Sequence, residues 1–392
     1  MNWRALIVVL IALAIGMTVL FNIAVRPPTP PIHEVFVNGQ VLTMDANNAI
    51  VEALSVRDGT IEAVGSTDAI MAGVSDDTIV NDLRGRTLLP GFIDAHGHFP
   101  GSGLAVVSAD LTSPPVGTHT TMAELLATMK AQAAQTEPGE WVSGFGYDDT
   151  LLAEHRHPTR AELDSVSTEH PIAVMHVSGH MLVANSMALD MVGIDADTPD
   201  PEGGVIGRRP GSREPNGLLE ETARMEVMNA QQDIGIGEFY AMIKYASAEY
   251  AALGVTTAQS GGATPEMLNG LALFSKYSMI PIRLVLFAFE DAYRDLLSAG
   301  EFSPEALQTE MFSAPAVKIV ADGSIQGYTG YLSKPYHVPY HGDPGYRGYP
   351  AVLRENLFDI VARLHRGGYQ MAIHGNGDAS IEDILDAFEA AQ

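Results

Sequence analysis

The chain has 392 residues, 46% of them hydrophobic, which suffices for a large core and for two or three domains. Its 48 acidic residues against 22 basic ones give a formal net charge of −26, which disfavours nucleic acid and anionic membrane surfaces as partners. There is no cysteine, so disulfides, a thiol nucleophile, a cysteine metal site and a lipid-modified cysteine are all excluded.

Residues 6–25 carry no charge and are polar only at Thr18 and Asn22, between Arg4 and Arg26. A signal-peptide apolar region runs about 7–15 residues and a bilayer span needs roughly 20. No clean small-x-small cleavage site precedes Pro27, so residues 1–25 read as an uncleaved transmembrane anchor in preference to a cleaved signal peptide. Arg4 and the amino terminus place the N-terminus in the cytoplasm and the body on the periplasmic or extracytoplasmic side, against the pull of Arg26. Cleavage would make the protein secreted. The proline-rich residues 26–32 form a stiff, extended spacer.

Residues 33–88 read as a small antiparallel β unit. Its strands are expected at 34–37, 40–44, 51–56, 60–64 and 78–83, with hairpin turns at Asn38-Gly39 and Asp58-Gly59. From residue 89 the pattern alternates. Strands are expected at 141–147, 172–177, 255–259, 282–289, 317–321 and 371–374. Helices are expected at 122–135, 218–230, 238–253, 265–277, 353–366 and 380–391. Such alternation argues for a parallel sheet, open or closed as a (β/α)8 TIM barrel, with its chemistry at strand C-terminal ends.

The apolar run from Leu88 ends in Asp94-Ala95-His96-Gly97-His98. On an extended strand, residues two apart point the same way, so His96 and His98 can aim two imidazoles at one point. Neutral imidazole is a common ligand for zinc and its neighbours. The competing reading is a surface His-Gly-His turn. Lys318 lies within an apolar strand that ends in Asp322. A buried lysine must lose its charge or find a partner, and carbamylation by CO2 would turn it into a metal-bridging carboxylate; snorkelling from the sheet edge is the alternative. His374 ends a short apolar strand as His96 does, and reads equally as a ligand or a structural histidine. His176 and His180, with Asn185 beyond, suit pocket lining and substrate binding better than metal binding. His155, His157, His170, His337 and His341 read as surface residues. No G-x-S-x-G elbow, P-loop or G-x-G-x-x-G opening a helix is present.

Together these residues resemble amidohydrolase family 3, the YtcJ-like group that includes N-substituted formamide deformylase. The resemblance extends from about residue 34 to the last residue. It is carried by Asn38-Gly39, by the segments 53–65, 82–98, 158–164, 201–204 and 254–257, and by Gly179-His180 with Asn185-Ser186 and Ala188-Leu189. Lys318 with Asp322-Gly323 and His374 with Gly377-Asp378 complete it. The histidine pair is common to the whole superfamily, whereas the Gly-His…Asn-Ser and Lys…Asp-Gly segments are specific to this group.

The resemblance implies a small β-sandwich, begun by 33–88, and a metal-dependent hydrolase (β/α) barrel at 89–392. Such an enzyme cleaves non-peptide carbon–nitrogen bonds of a small amide or N-acyl substrate. His96 and His98 would bind one divalent metal, zinc being the prior from the histidines. Lys318, carbamylated, would bridge, and His374 would hold a second ion. A homodimer is compatible with this reading. In the family a further histidine and a catalytic Asp lie on later strands, and Asp378 matches a different position of the pattern. The chain therefore reads as the N-terminal two-thirds of such an enzyme. A non-catalytic remnant and a cyclic-amide hydrolase with the same site are the alternatives.

Overall fold

The computed structural model describes residues 31–231, 234–293, 308–340 and 342–392. The expected anchor at 6–25 lies outside the described residues. Among those described, no helix is long and apolar enough to cross a membrane. The chain divides into two units. One holds the residues up to Ala95 with Tyr250–Ala258 and Gly270–Arg283, and the other holds His96–Glu249, Gln259–Asn269 and Leu284–Gln392.

In the first unit the strand His33–Val37 lies between Ala53–Arg57, antiparallel to it, and Ile79–Asp82, parallel to it. Thr60–Gly65 flanks Ala53–Arg57 on the far side. Alternate residues of the central strand are buried, so Val35 and Val37 pack with Ala53 and Ile70. The Asp58-Gly59 hairpin forms as expected, with positive φ at both residues (48° and 75°), the signature of a type I′ turn. The Asn38-Gly39 hairpin does not. After Gly39 the chain enters a different sheet, where Gln40–Leu42 pairs with Ile50–Val51 and Thr87–Leu88. Glycine is required there by close approach, since a Cβ would lie 2.3 Å from Leu83 Cδ1. Phe92–Ile93, the lead-in to the histidine pair, runs parallel to the start of Val255–Ala263.

The second unit carries a six-stranded sheet in the order Gly204–Arg208, Pro215–Glu221, Met181–Ala184, Ile172–His176, Val142–Tyr147 and Ala109–Asp110. Both faces are covered. Ile172, Val174, Met181 and Val183 join one core with Leu125 and Met129, while Ala173, Leu182 and Ala184 join another with Leu189 and Leu219. This two-sided burial explains the continuous apolar runs.

Two expectations fail here. The strands at 142–147 and 172–176 belong to this sheet and do not neighbour the Lys318 strand. Ile172–His176 turns back tightly into an antiparallel partner, Met181–Ala184, with no helical crossover between them. Residues 218–221, read as the start of a helix, are strand. The φ of Gly217 is 106°, and Leu218–Glu220 pair with Met181–Val183, so helix begins only at Met225–Ala230, after one 3-10 turn.

The Lys318 strand, Phe312–Val320, lies between Arg283–Phe289 and Gln370–His374 and is parallel to both. Pro315, which cannot donate to the ladder, falls where the register with Val285/Phe287 skips a residue, the bulge that tolerates it. Arg354–Arg366 makes the crossover to Gln370–His374, and Asp378–Ala391 follows and packs on that helix. Neither sheet of this unit closes on itself among the described residues.

Candidate metal centre

The histidine pair is fastened to the strand beside it. Gly97 N–H donates to Gln259 Oε1 at 2.8 Å, Gly261 N–H donates to the Gly97 carbonyl at 2.7 Å, and Phe99 N–H donates to the Gln259 carbonyl at 3.2 Å. The two imidazoles stand edge to face with centroids 5.5 Å apart. Gly261 makes room for them, because a Cβ there would lie 2.8 Å from His96 Cε1 and 3.3 Å from His98 Cε1.

Lys318 is 7% exposed and has no ion-pair partner among the described residues. Burial lowers its pKa from the ordinary lysine value. In register it opposes Ala372, two residues before His374, which opposes Val320; lysine and histidine therefore share one face of the sheet. Burial, reinforced by the charges of His180 and Lys318, holds the His374 imidazole below its ordinary pKa, which favours the neutral form a metal requires. His374 Nε2 lies 3.4 Å from the Gly323 carbonyl and 3.2 Å from Nδ2 of Asn376, which itself donates to that carbonyl at 3.0 Å.

Asp322, fully buried, is a fastener. Its carboxylate accepts the backbone N–H groups of Tyr331 (2.8 Å), Asn376 (2.9 Å) and Gly377 (2.8 Å), and so fixes the loop that follows His374. Asp378 accepts from the backbone and hydroxyl of Ser333, a loop contact as well.

His180 lies beside His374, with ring centroids 5.2 Å apart, and its Nδ1–H donates to Glu221 Oε2 at 2.8 Å. Glu220, on the same strand as Glu221, accepts from the hydroxyls of Tyr340 and Tyr349. Burial outweighs those bonds and pushes its carboxyl up to about 7.

His176 is placed elsewhere. Its Nε2–H donates to Asp149 Oδ1 at 3.0 Å, with Tyr147 and His157 packed around it. Burial pushes the Asp149 carboxyl up, but the His176 bond and the His157 charge more than offset this and leave it below the ordinary value. Asp148, Asp149 and His176 bring one ligand atom each within 4.8 Å of the others and could hold a metal ion. Asn185, expected to line the pocket, is spent on the backbone instead. It accepts from Ile172 N–H and Ala188 N–H and donates to the His170 carbonyl, 2.9 Å in each case. Among the loop histidines, His155 and His337 are exposed, His170 is buried, and His341 lies outside the described residues. Glu220, Glu221 and Asp148-Asp149 are the functional candidates that sequence reading missed. The helix expected over 218–230 hid the first two, while the paired aspartates at a strand end were a visible signal.

Imidazoles and a desolvated lysine stand at strand ends of an α/β sheet, and the cradle at Gly261, a Lys318 without an ion-pair partner among the described residues and a His374 of lowered pKa are compatible with a divalent ion. The chain belongs to the amidohydrolase family, whose model matches residues 80–392. It is 29% identical over 366 residues to N-substituted formamide deformylase of Arthrobacter pascens, a match covering 91% of this chain and 65% of that protein. It is 27% identical over 369 residues to the putative amidohydrolase YtcJ of Bacillus subtilis, covering 90% and 65%. The chain thus spans just under two-thirds of the length of these relatives. A solved structure of an uncharacterized metal-dependent hydrolase from Pyrococcus horikoshii is similar in fold, with a TM-score of 0.67 at 24% identity, covering 91% of this chain and 68% of that one.

Proposed function

We propose that the protein is a metal-dependent hydrolase of non-peptide carbon–nitrogen bonds in small linear amides or N-acyl compounds. The observation that carries this reading is Lys318: a buried lysine without an ion-pair partner among the described residues, on one sheet face with His374. His96 and His98 would bind one divalent ion, with zinc the first choice for imidazole ligands, and His374 would bind a second. When bound, a divalent metal supplies a water of lowered pKa and polarises an amide carbonyl.

The chain's own part is to position the imidazoles and to keep Lys318 desolvated. An uncharged Lys318 amine can add CO2: its nitrogen lone pair forms the N–C bond, a proton leaves the nitrogen, and a carboxylate results. The N-terminal apolar segment adds the proposal that the enzyme is held at the membrane with its body outside the cytoplasm. The test uses the full chain and a panel of N-formyl and N-acetyl anilides. His96→Ala and Lys318→Ala are expected to abolish aniline release with an unchanged circular dichroism spectrum. Activity surviving either substitution sinks the proposal.

A further inference from the structure

We propose that His180 is itself a ligand of the ion held by His374, and that Glu221 is the carboxylate that orients it. The inference rests on the metal-centre reading above and enlarges the ligand set with a residue from the six-stranded sheet.

Three observations converge. The first is spacing. Two imidazoles on one tetrahedral ion, each with a metal–nitrogen bond of about 2.1 Å, have ring centres about 5 Å apart. The rings of His180 and His374 are 5.2 Å apart.

The second is tautomer. His180 gives its Nδ1–H to Glu221 Oε2, which pins the ring through that nitrogen and leaves a lone pair on Nε2. Metal-bound histidines are held in this way by carboxylates and carbonyls behind them.

The third is Glu221 itself. It is 5% exposed, and its second oxygen, Oε1, is buried with no hydrogen-bond partner among the described residues. The buried Arg224 guanidinium meets part of its charge, and a carboxylate taken out of water is favourable only with such cationic neighbours. The backbone accommodates it at a cost. Glu221 sits at φ 49°, ψ −120°, a conformation non-glycine residues avoid, and only the missing Cβ of Gly323 leaves room for Oε1, since a Cβ would lie 2.1 Å away. A cation bound through His180 would add to the compensation that Arg224 provides.

The experiment is Co2+ titration of the full chain after removal of metal with a chelator, read by visible absorption and by elemental analysis. His180→Gln and Glu221→Gln are each expected to weaken Co2+ binding by about 10–100-fold or more and to alter the absorption band. His365→Ala, on an exposed position of Arg354–Arg366, is expected to change neither. Unchanged affinity and spectrum in His180→Gln would overturn the assignment and leave the hydrolase reading standing, whereas absence of Co2+ uptake by the wild type would overturn both. If His180→Gln does not fold, wild type labelled with 15N-histidine and loaded with 113Cd decides. Coupling of cadmium to the Nε2 of an imidazole protonated on Nδ1 is expected, and its absence refutes the proposal.

Discussion

Asp322→Asn is the sharpest probe of how this site is held. The substitution keeps the size of the side chain and changes what one oxygen can accept. In the native chain Oδ2 takes the N–H groups of Tyr331 and Gly377, and Oδ1 takes that of Asn376. With the amide oxygen at the Oδ2 position, two bonds survive but fall from charge-assisted to neutral strength, a loss of about 1 kcal/mol each. The amide NH2 then faces the Asn376 N–H, donor against donor, and that charge-assisted bond is lost at about 1–3 kcal/mol. The total is about 3–5 kcal/mol, which at about 2–4 °C per kcal/mol lowers the melting temperature by roughly 6–20 °C. Differential scanning calorimetry reads the shift directly. Because the released loop follows His374, Co2+ affinity should fall with it. A variant melting within about 1 °C of the wild type would refute the view of Asp322 as the fastener of this loop.

Gly261→Ala should leave the protein folded but force the His96 ring to turn, since the new Cβ would lie 2.8 Å from its Cε1. Metal titration is expected to show at least about a tenfold weaker site, and unchanged affinity would mean that His96 is not a ligand. Glu220 makes a pH prediction. Its folded pKa is raised from the ordinary 4.5 to about 7 by burial, so the folded state binds the proton more tightly than the unfolded state does. The resulting stability is complete below 4.5, declines as pH rises to about 7, and is gone above that. Melting curves from pH 5 to 8 should show this slope in the wild type and lose it in Glu220→Gln. At pH 8 that variant should be the more stable by up to about 3 kcal/mol. Parallel curves for the two proteins would refute it.

The candidate positions His96, Lys318 and His374 stand out because each lies where an apolar strand meets a polar residue, a pattern visible without knowledge of the sheet. Helix and strand positions on the Lys318 side were legible from their period, although Phe312–Val320 and Val255–Ala263 form nine residues each where 317–321 and 255–259 were expected. The architecture around 142–221 was not legible. Strands buried on both faces look alike in sequence whether they enter a parallel barrel or a mixed sheet of their own. The difference lies in the short turn Val177–His180, which leaves no room for a crossover helix. Leu218-Leu219-Glu220-Glu221 has the local preference of a helix and becomes a strand because Met181–Ala184 offers it an edge. That one misreading concealed the carboxylate behind His180. Asn185 shows the reverse case, a polar residue next to candidate ligands whose hydrogen-bonding capacity is consumed by a helix cap, one strand and the loop before it.

The bond between Gly97 and Gln259 joins residues 162 positions apart. At a ribosomal rate of about 5–20 residues per second, the clasp on the histidine pair emerges roughly 8–30 s after the pair itself. Through that interval His96 and His98 hang on a chain with nothing to orient them, and any cation they meet is held by two loose imidazoles. Under the proposed function, a selective site would exist only once the later strands have docked, and metal choice would be a late event of folding.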